Sequence, residues 1–111
     1  MNTKEFCCYC GRWLIHPLVD TTEHLVPLSQ GGNNTLLNKK RCCGKCNEWR
    51  SSKNLIDFRN DIRNILNSKT LMIKIAIKKG YNKQDLEYMI ENLDYWHNYI
   101  ATAKDKLKKK I

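Results

Sequence analysis

Hydrophobic and polar residues along this chain change period once, close to Lys53. Before it, apolar residues come in short runs punctuated by turn-formers. Thr21-Thr22 and Leu25-Val26 flank Glu23-His24 in a β-favouring stretch that Pro27 ends. Gly31-Gly32-Asn33-Asn34 supplies a loop, and a second extended run begins near Thr35. A helix-compatible segment over residues 47–53 follows Cys43-Gly44-Lys45-Cys46. The predicted order is strand, loop, strand, helix, a ββα unit built on one long-looped hairpin. Trp13-Leu14-Ile15 starts an earlier extended segment, with a bend at His16-Pro17.

Beyond Lys53 the spacing turns helical. Leu55, Phe58, Ile62 and Ile65 form one apolar stripe on a helix ending near Asn67-Ser68. Leu71, Met72, Ile75 and Ala76 predict a second helix closed by Gly80, although Leu71, Ile73, Ile75 and Ile77 also alternate as a strand would. Asn82 is placed to cap a third, with Asp85 three residues on, and Leu86, Ile90, Leu93, Trp96, Ile100 and Leu107 mark its apolar face. Its length invites a partner, so a homodimer through the C-terminal helices is one expectation. The fold class expected is α+β: a ββα module over residues 1–54, then a mostly helical extension over residues 55–111.

Charge changes the picture next. The chain carries 20 Lys and Arg against 11 Asp and Glu, a net charge of +9, which suits a polyanionic partner such as nucleic acid or an acidic membrane surface. Both halves are basic, so neither is a neutral passenger. Residues 104–111 hold five lysines, which serve either a solvated helix end or phosphate contact. No apolar run approaches the roughly 20 residues of a membrane helix, since Lys74 interrupts the stretch from Leu71 to Ile77. No membrane is therefore expected among the partners. The abundance of Asn, Ile and Lys fits an AT-rich genome such as that of a phage or mobile element.

Six cysteines remain to be explained. The opening MNTKEF has no apolar core of a secretory signal, so a reducing, intracellular (cytoplasmic) setting is expected and two disulfides are the disfavoured alternative. Cys7-x-x-Cys10 and Cys43-x-x-Cys46 have the spacing of a tetrahedral thiolate zinc site, with Zn–S bonds of about 2.3 Å and no open position. Such a site is structural. Cys8 and Cys42 are left over, and each can replace its neighbour only at a spacing that fits a knuckle less well. His16 and His97 sit in no recognisable ligand pattern and are given no role.

In order along the chain, Cys7-Cys8-Tyr9-Cys10-Gly11, Glu23-His24, Pro27, Gly31-Gly32, Asn38, the second cysteine pair, Asn47 and Lys53 resemble the HNH endonucleases, His-Me finger nucleases of ββα-metal type. That pattern runs C-x-x-C, acid-His, Pro, Gly-Gly, Asn, C-x-x-C, His or Asn, then Lys. The resemblance covers Cys7 to about Asn54 and leaves the second half of the chain uncovered.

The resemblance implies a nuclease. His24 would be the general base that activates water, and Glu23 and Asn47 the ligands of a catalytic divalent cation, Mg²⁺ or another of Mn²⁺, Ni²⁺ or Zn²⁺. Asn38 would position the hairpin by bonding backbone across its loop, and Arg41, Arg50 and Lys53 would contact phosphate. Nucleic acid, DNA first, is the implied partner, and the C-terminal extension would add DNA contact or oligomerisation. Two positions depart from the common pattern, Glu23 where Asp is usual and Asn47 where many members have His; both keep oxygen ligands. Neighbours on an extended strand point to opposite sides, so Glu23 and His24 reach one site only if the strand twists there. The competing reading is a non-catalytic zinc-ribbon that binds nucleic acid, which needs only the cysteines and the basic residues. A partner-binding protein using its long helix is a third.

Overall fold

The computed structural model describes residues 5–14 and 20–103. Ile15, the bend expected at His16-Pro17, and the lysine-rich stretch that includes Leu107 lie outside the described residues. Two short strands, β1 (Glu5–Phe6) and β2 (Trp13–Leu14), pair antiparallel and frame the first cysteine turn. The main hairpin joins β3 (Asp20–His24) to β4 (Lys39–Cys43), with Asp20 opposite Cys43 and His24 opposite Lys39. Its last strand runs into α1 (Gly44–Arg50), so the order is strand, loop, strand, helix.

The hairpin loop is longer than the apolar pattern suggests. β4 begins at Lys39, four residues after Thr35, because Asn33 captures the chain: its Oδ1 accepts hydrogen bonds from the Thr35 amide at 3.1 Å and hydroxyl at 2.7 Å. That side-chain turn competes with the ladder. The helix starts earlier than residue 47 for a related reason, since Cys43 acts as its N-cap and Cys43 Sγ accepts the Cys46 amide.

Each later helix begins at a polar cap. Asn54 Oδ1 accepts the Asp57 amide at 2.8 Å to open α2 (Leu55–Leu66). Ser68 opens α3 (Lys69–Lys79), which stops at Gly80 in the left-handed region, φ 75°. Helix rather than strand is thus the form adopted over 69–79, though it buries no residue and leaves Ile73 and Ile77 exposed. Asn82 and Asp85 form a reciprocal capping box at the start of α4 (Lys83–Thr102). None of these helices is long and apolar enough to cross a membrane.

A continuous core spans both halves. Tyr9 of the first cysteine turn meets Phe58 of α2 edge-on, ring centres 5.6 Å apart; Phe58 meets Trp49 of α1 at 5.5 Å, and Trp49 stacks on Tyr81 at 5.4 Å. Leu86, Met89, Ile90 and Leu93 bring the apolar face of α4 to the same cluster. Polar contacts reinforce it: Asn92 Nδ2 donates to Tyr9 O at 2.6 Å, Trp96 Nε1 to Cys8 O at 2.9 Å, and the Tyr99 hydroxyl to Leu37 O at 2.9 Å. Residue 54, where the module boundary was expected, is the N-cap of α2, and the core runs across it.

A chain ending at Asn54 would expose Tyr9 and Trp49 and lose every apolar partner from α2 and α4. The full chain should unfold in one cooperative step in urea followed by circular dichroism, and the 1–54 fragment should show no such transition.

Candidate metal centre and the adjoining histidine hairpin

Four sulfurs meet where the first cysteine turn touches the start of α1. The Sγ atoms of Cys7, Cys10, Cys43 and Cys46 all lie within 4.8 Å of one another. Cys10 and Cys43 are 3.7 Å apart, against an edge of about 3.8 Å for a regular tetrahedron with Zn–S bonds of about 2.3 Å. Local backbone favours charged sulfur: Tyr9 N donates to Cys7 Sγ at 3.4 Å and Cys46 N to Cys43 Sγ at 3.5 Å. Gly11, at φ 75°, returns its amide to Cys7 O and lets the turn close, with Tyr88 of α4 packed where a Cβ would stand.

Without a cation these thiols share protons. Hydrogen bonds with Cys10 pull Cys7 down and bring Cys43 to about 6, while the bond with Cys43 holds Cys10 up. A divalent ion removes the conflict by taking four thiolates at once. Geometry and donor chemistry both fit zinc, and the chain is a zinc-binding module by this measure. None of the six cysteines is joined in a disulfide. Cys42, fully buried and 3.9 Å from Cys7 Sγ, lies beside the quartet.

The hairpin hangs on two polar side chains. Asn38 is fully buried: its Oδ1 accepts the Val26 amide at 2.8 Å, and its Nδ2 donates to Val26 O at 3.0 Å and Asn33 O at 2.9 Å. It thereby bonds backbone on both sides of the loop. Gly32 makes the approach possible, since a Cβ there would collide with the Val26 carbonyl. Arg50 is the second. Its Nε donates to Lys53 O, Nη1 to the Tyr9 hydroxyl and His24 O, and Nη2 to Leu25 O, all at 2.8–2.9 Å. With 0% exposure, those donors reach no phosphate unless the backbone bonds break.

His24 ends β3 half-buried, its Nε2 2.8 Å from Asn34 Oδ1. Glu23 is buried instead. Its Oε1 accepts the His24 amide at 3.1 Å, and Oε2 lies 3.5 Å from Arg50 Nη1 with no hydrogen bond. Burial raises its carboxyl above the ordinary 4.5, and the Arg50 charge opposes that rise. Asn47 lies in α1 directly after Cys46, half-buried. Arg41 sits mid-strand in β4 opposite Thr22, and Lys53 pairs with Asp61 at 2.8 Å on the surface.

A hard divalent cation needs oxygen ligands at about 2.0–2.6 Å and room for water. Glu23 brings a buried carboxylate whose Oε2 makes no hydrogen bond, with the Arg50 guanidinium 3.5 Å away. Among the described residues, the quartet is the group of His, Cys, Asp and Glu side chains gathered to share an ion. Sequence reasoning missed Asn34, Tyr9 and the inward role of Arg50. Asn34 had a signal, a second asparagine in a glycine loop ten residues after the histidine; the other two had none. No protein-family model, curated protein or solved structure matches the chain.

Two outcomes follow from this geometry. Purified protein should hold one zinc per chain by elemental analysis, and stripping it should abolish the cooperative melt. Arg50→Met, which leaves Glu23 and three carbonyls without their buried partner, should lower stability by roughly 3–5 kcal/mol in urea titrations. Arg50→Lys should recover little of that, because a single ammonium cannot reach the same spread of acceptors.

Proposed function

We propose that the chain is an HNH-type endonuclease hydrolysing phosphodiester bonds in DNA, with His24 as general base. The observation that carries the proposal is the placement of His24. Its imidazole is partly accessible at the end of a strand, and buried Arg50 holds its own carbonyl at 2.9 Å. A base works when its position is fixed and its ring can meet water. The net charge of +9 supports a polyanionic substrate.

In the proposed reaction, neutral His24 takes a proton from a water whose oxygen bonds to phosphorus. The bond from phosphorus to the sugar oxygen breaks, and that oxygen takes a proton from solvent. Asn38 keeps the loop beside His24 closed. Arg41 and Lys53 are the phosphate contacts of this reading, Lys53 exchanging its surface pair with Asp61 for phosphate, with Arg50 assigned to holding the site together. No residue of the chain is asked to ligate a catalytic cation in these steps, and the assay below reads the response to Mg²⁺, Mn²⁺, Ni²⁺ and Zn²⁺ directly.

The burial of Glu23 against Arg50 favours a second reading, a zinc-ribbon that binds nucleic acid without cutting it. A homodimer, under either reading, would use the exposed Ile73 and Ile77 of α3, since the main stripe of α4 is buried within the chain.

The deciding experiment incubates zinc-retaining protein with supercoiled plasmid, single-stranded DNA and RNA, adding each cation in turn. The wild-type chain should cut DNA, and His24→Ala should cut about 10²–10⁴-fold more slowly. The variant should keep its zinc content, melting behaviour and DNA retention. Wild-type cutting by His24→Ala, in a preparation freed of contaminating nuclease, would move the chain to the second reading.

A further inference from the structure

We infer that Asn34 is a positioning residue that fixes the tautomer of His24 and makes Nδ1 the proton-accepting atom. The inference rests on the general-base reading above and adds to it the residue and the ring atom. Its starting point is the 2.8 Å contact between Asn34 Oδ1 and His24 Nε2. An amide oxygen only accepts hydrogen bonds, so the nitrogen facing it must carry a proton. Neutral imidazole carries one proton, and Nδ1 is then left with its lone pair. Among the described residues, no hydrogen bond occupies Nδ1.

The loop holds Asn34 in place through its neighbours. Asn33 O accepts from Asn38 Nδ2 at 2.9 Å, and Asn33 Oδ1 ties Thr35 at 3.1 and 2.7 Å. Residues on either side of Asn34 are thus fixed, and Arg50 fixes the backbone of His24. The two partners are presented from separately anchored segments, so their contact does not depend on a flexible hairpin tip. A rotated amide would present Nδ2 instead, forcing the proton to Nδ1 and reversing the roles of the two nitrogens. The alternatives are therefore distinct and measurable.

Two-bond ¹H–¹⁵N correlation spectra of ¹⁵N-histidine-labelled protein read the tautomer whether or not the chain cuts DNA. The wild-type protein should show a protonated Nε2 and an unprotonated Nδ1 for His24. Asn34→Ala should give mixed tautomers and reduce kcat by ~10–100-fold, by analogy with the loss seen when the hydrogen-bond partner of a metal-bound histidine is removed, with KM and zinc content unchanged. Asn34→Asp keeps the acceptor and should restore the single tautomer and most of kcat. A protonated Nδ1 in the wild-type protein, or an unchanged tautomer and kcat in Asn34→Ala, would overturn the inference. A chain with the expected tautomer that cuts nothing would remove the nuclease reading and leave the hold of Asn34 on the ring standing.

Discussion

A guanidinium cut off from solvent must find its acceptors inside the protein, and at Arg50 that requirement fixes three separate pieces of chain. Tyr9 comes from the first cysteine turn, the carbonyls of His24 and Leu25 from the end of β3, and Lys53 O from the chain leaving α1. Glu23 supplies the countercharge. An unpaired buried charge is costly enough that these pieces hold one arrangement. The quartet and the histidine hairpin are registered to each other through this residue, since Arg50 sits at the end of the same short helix that carries Cys46.

The quartet and the aromatic cluster divide the remaining work. Sulfur ligands hold the first turn to the start of α1, but the surface around them is too small to make a core by itself. Phe58, Tyr81 and the buried face of α4 supply the apolar contact, and Tyr9 belongs to both systems through its ring and its hydroxyl. Burial keeps that hydroxyl neutral, far above the usual tyrosine range, so it serves only in hydrogen bonds.

Much of this was legible in the sequence. The cysteine spacing selected the four sulfurs that the structure gathers, and the caps at Asn82 and Asp85 marked the start of α4. Periodicity also separated helices from hairpin. Boundaries that depend on side-chain turns were not legible, since Asn33 and Cys43 each reset the chain by bonding backbone amides that apolar spacing does not register. Residue type misled most at Arg50. A basic residue near an expected phosphate site reads as a surface contact, and only the folded chain shows it enclosed by carbonyls. Glu23 lies buried beside that charge, an environment its sequence position did not announce. The partner of His24 had only the hint of a second asparagine after the glycines, because the fourteen residues between β3 and β4 do not specify which polar side chain folds back.

The hydrogen bonds from Asn92 and Trp96 to the carbonyls of Tyr9 and Cys8 span 83 and 88 positions of sequence. Seen from the ribosome, all four sulfurs have been made by residue 46, well before these donors exist. Metal can enter a knuckle that is still open on that side, and α4 closes over it only when the chain is nearly complete. An ion taken up before that point is afterwards held by a turn whose own backbone is pinned from the far end of the chain.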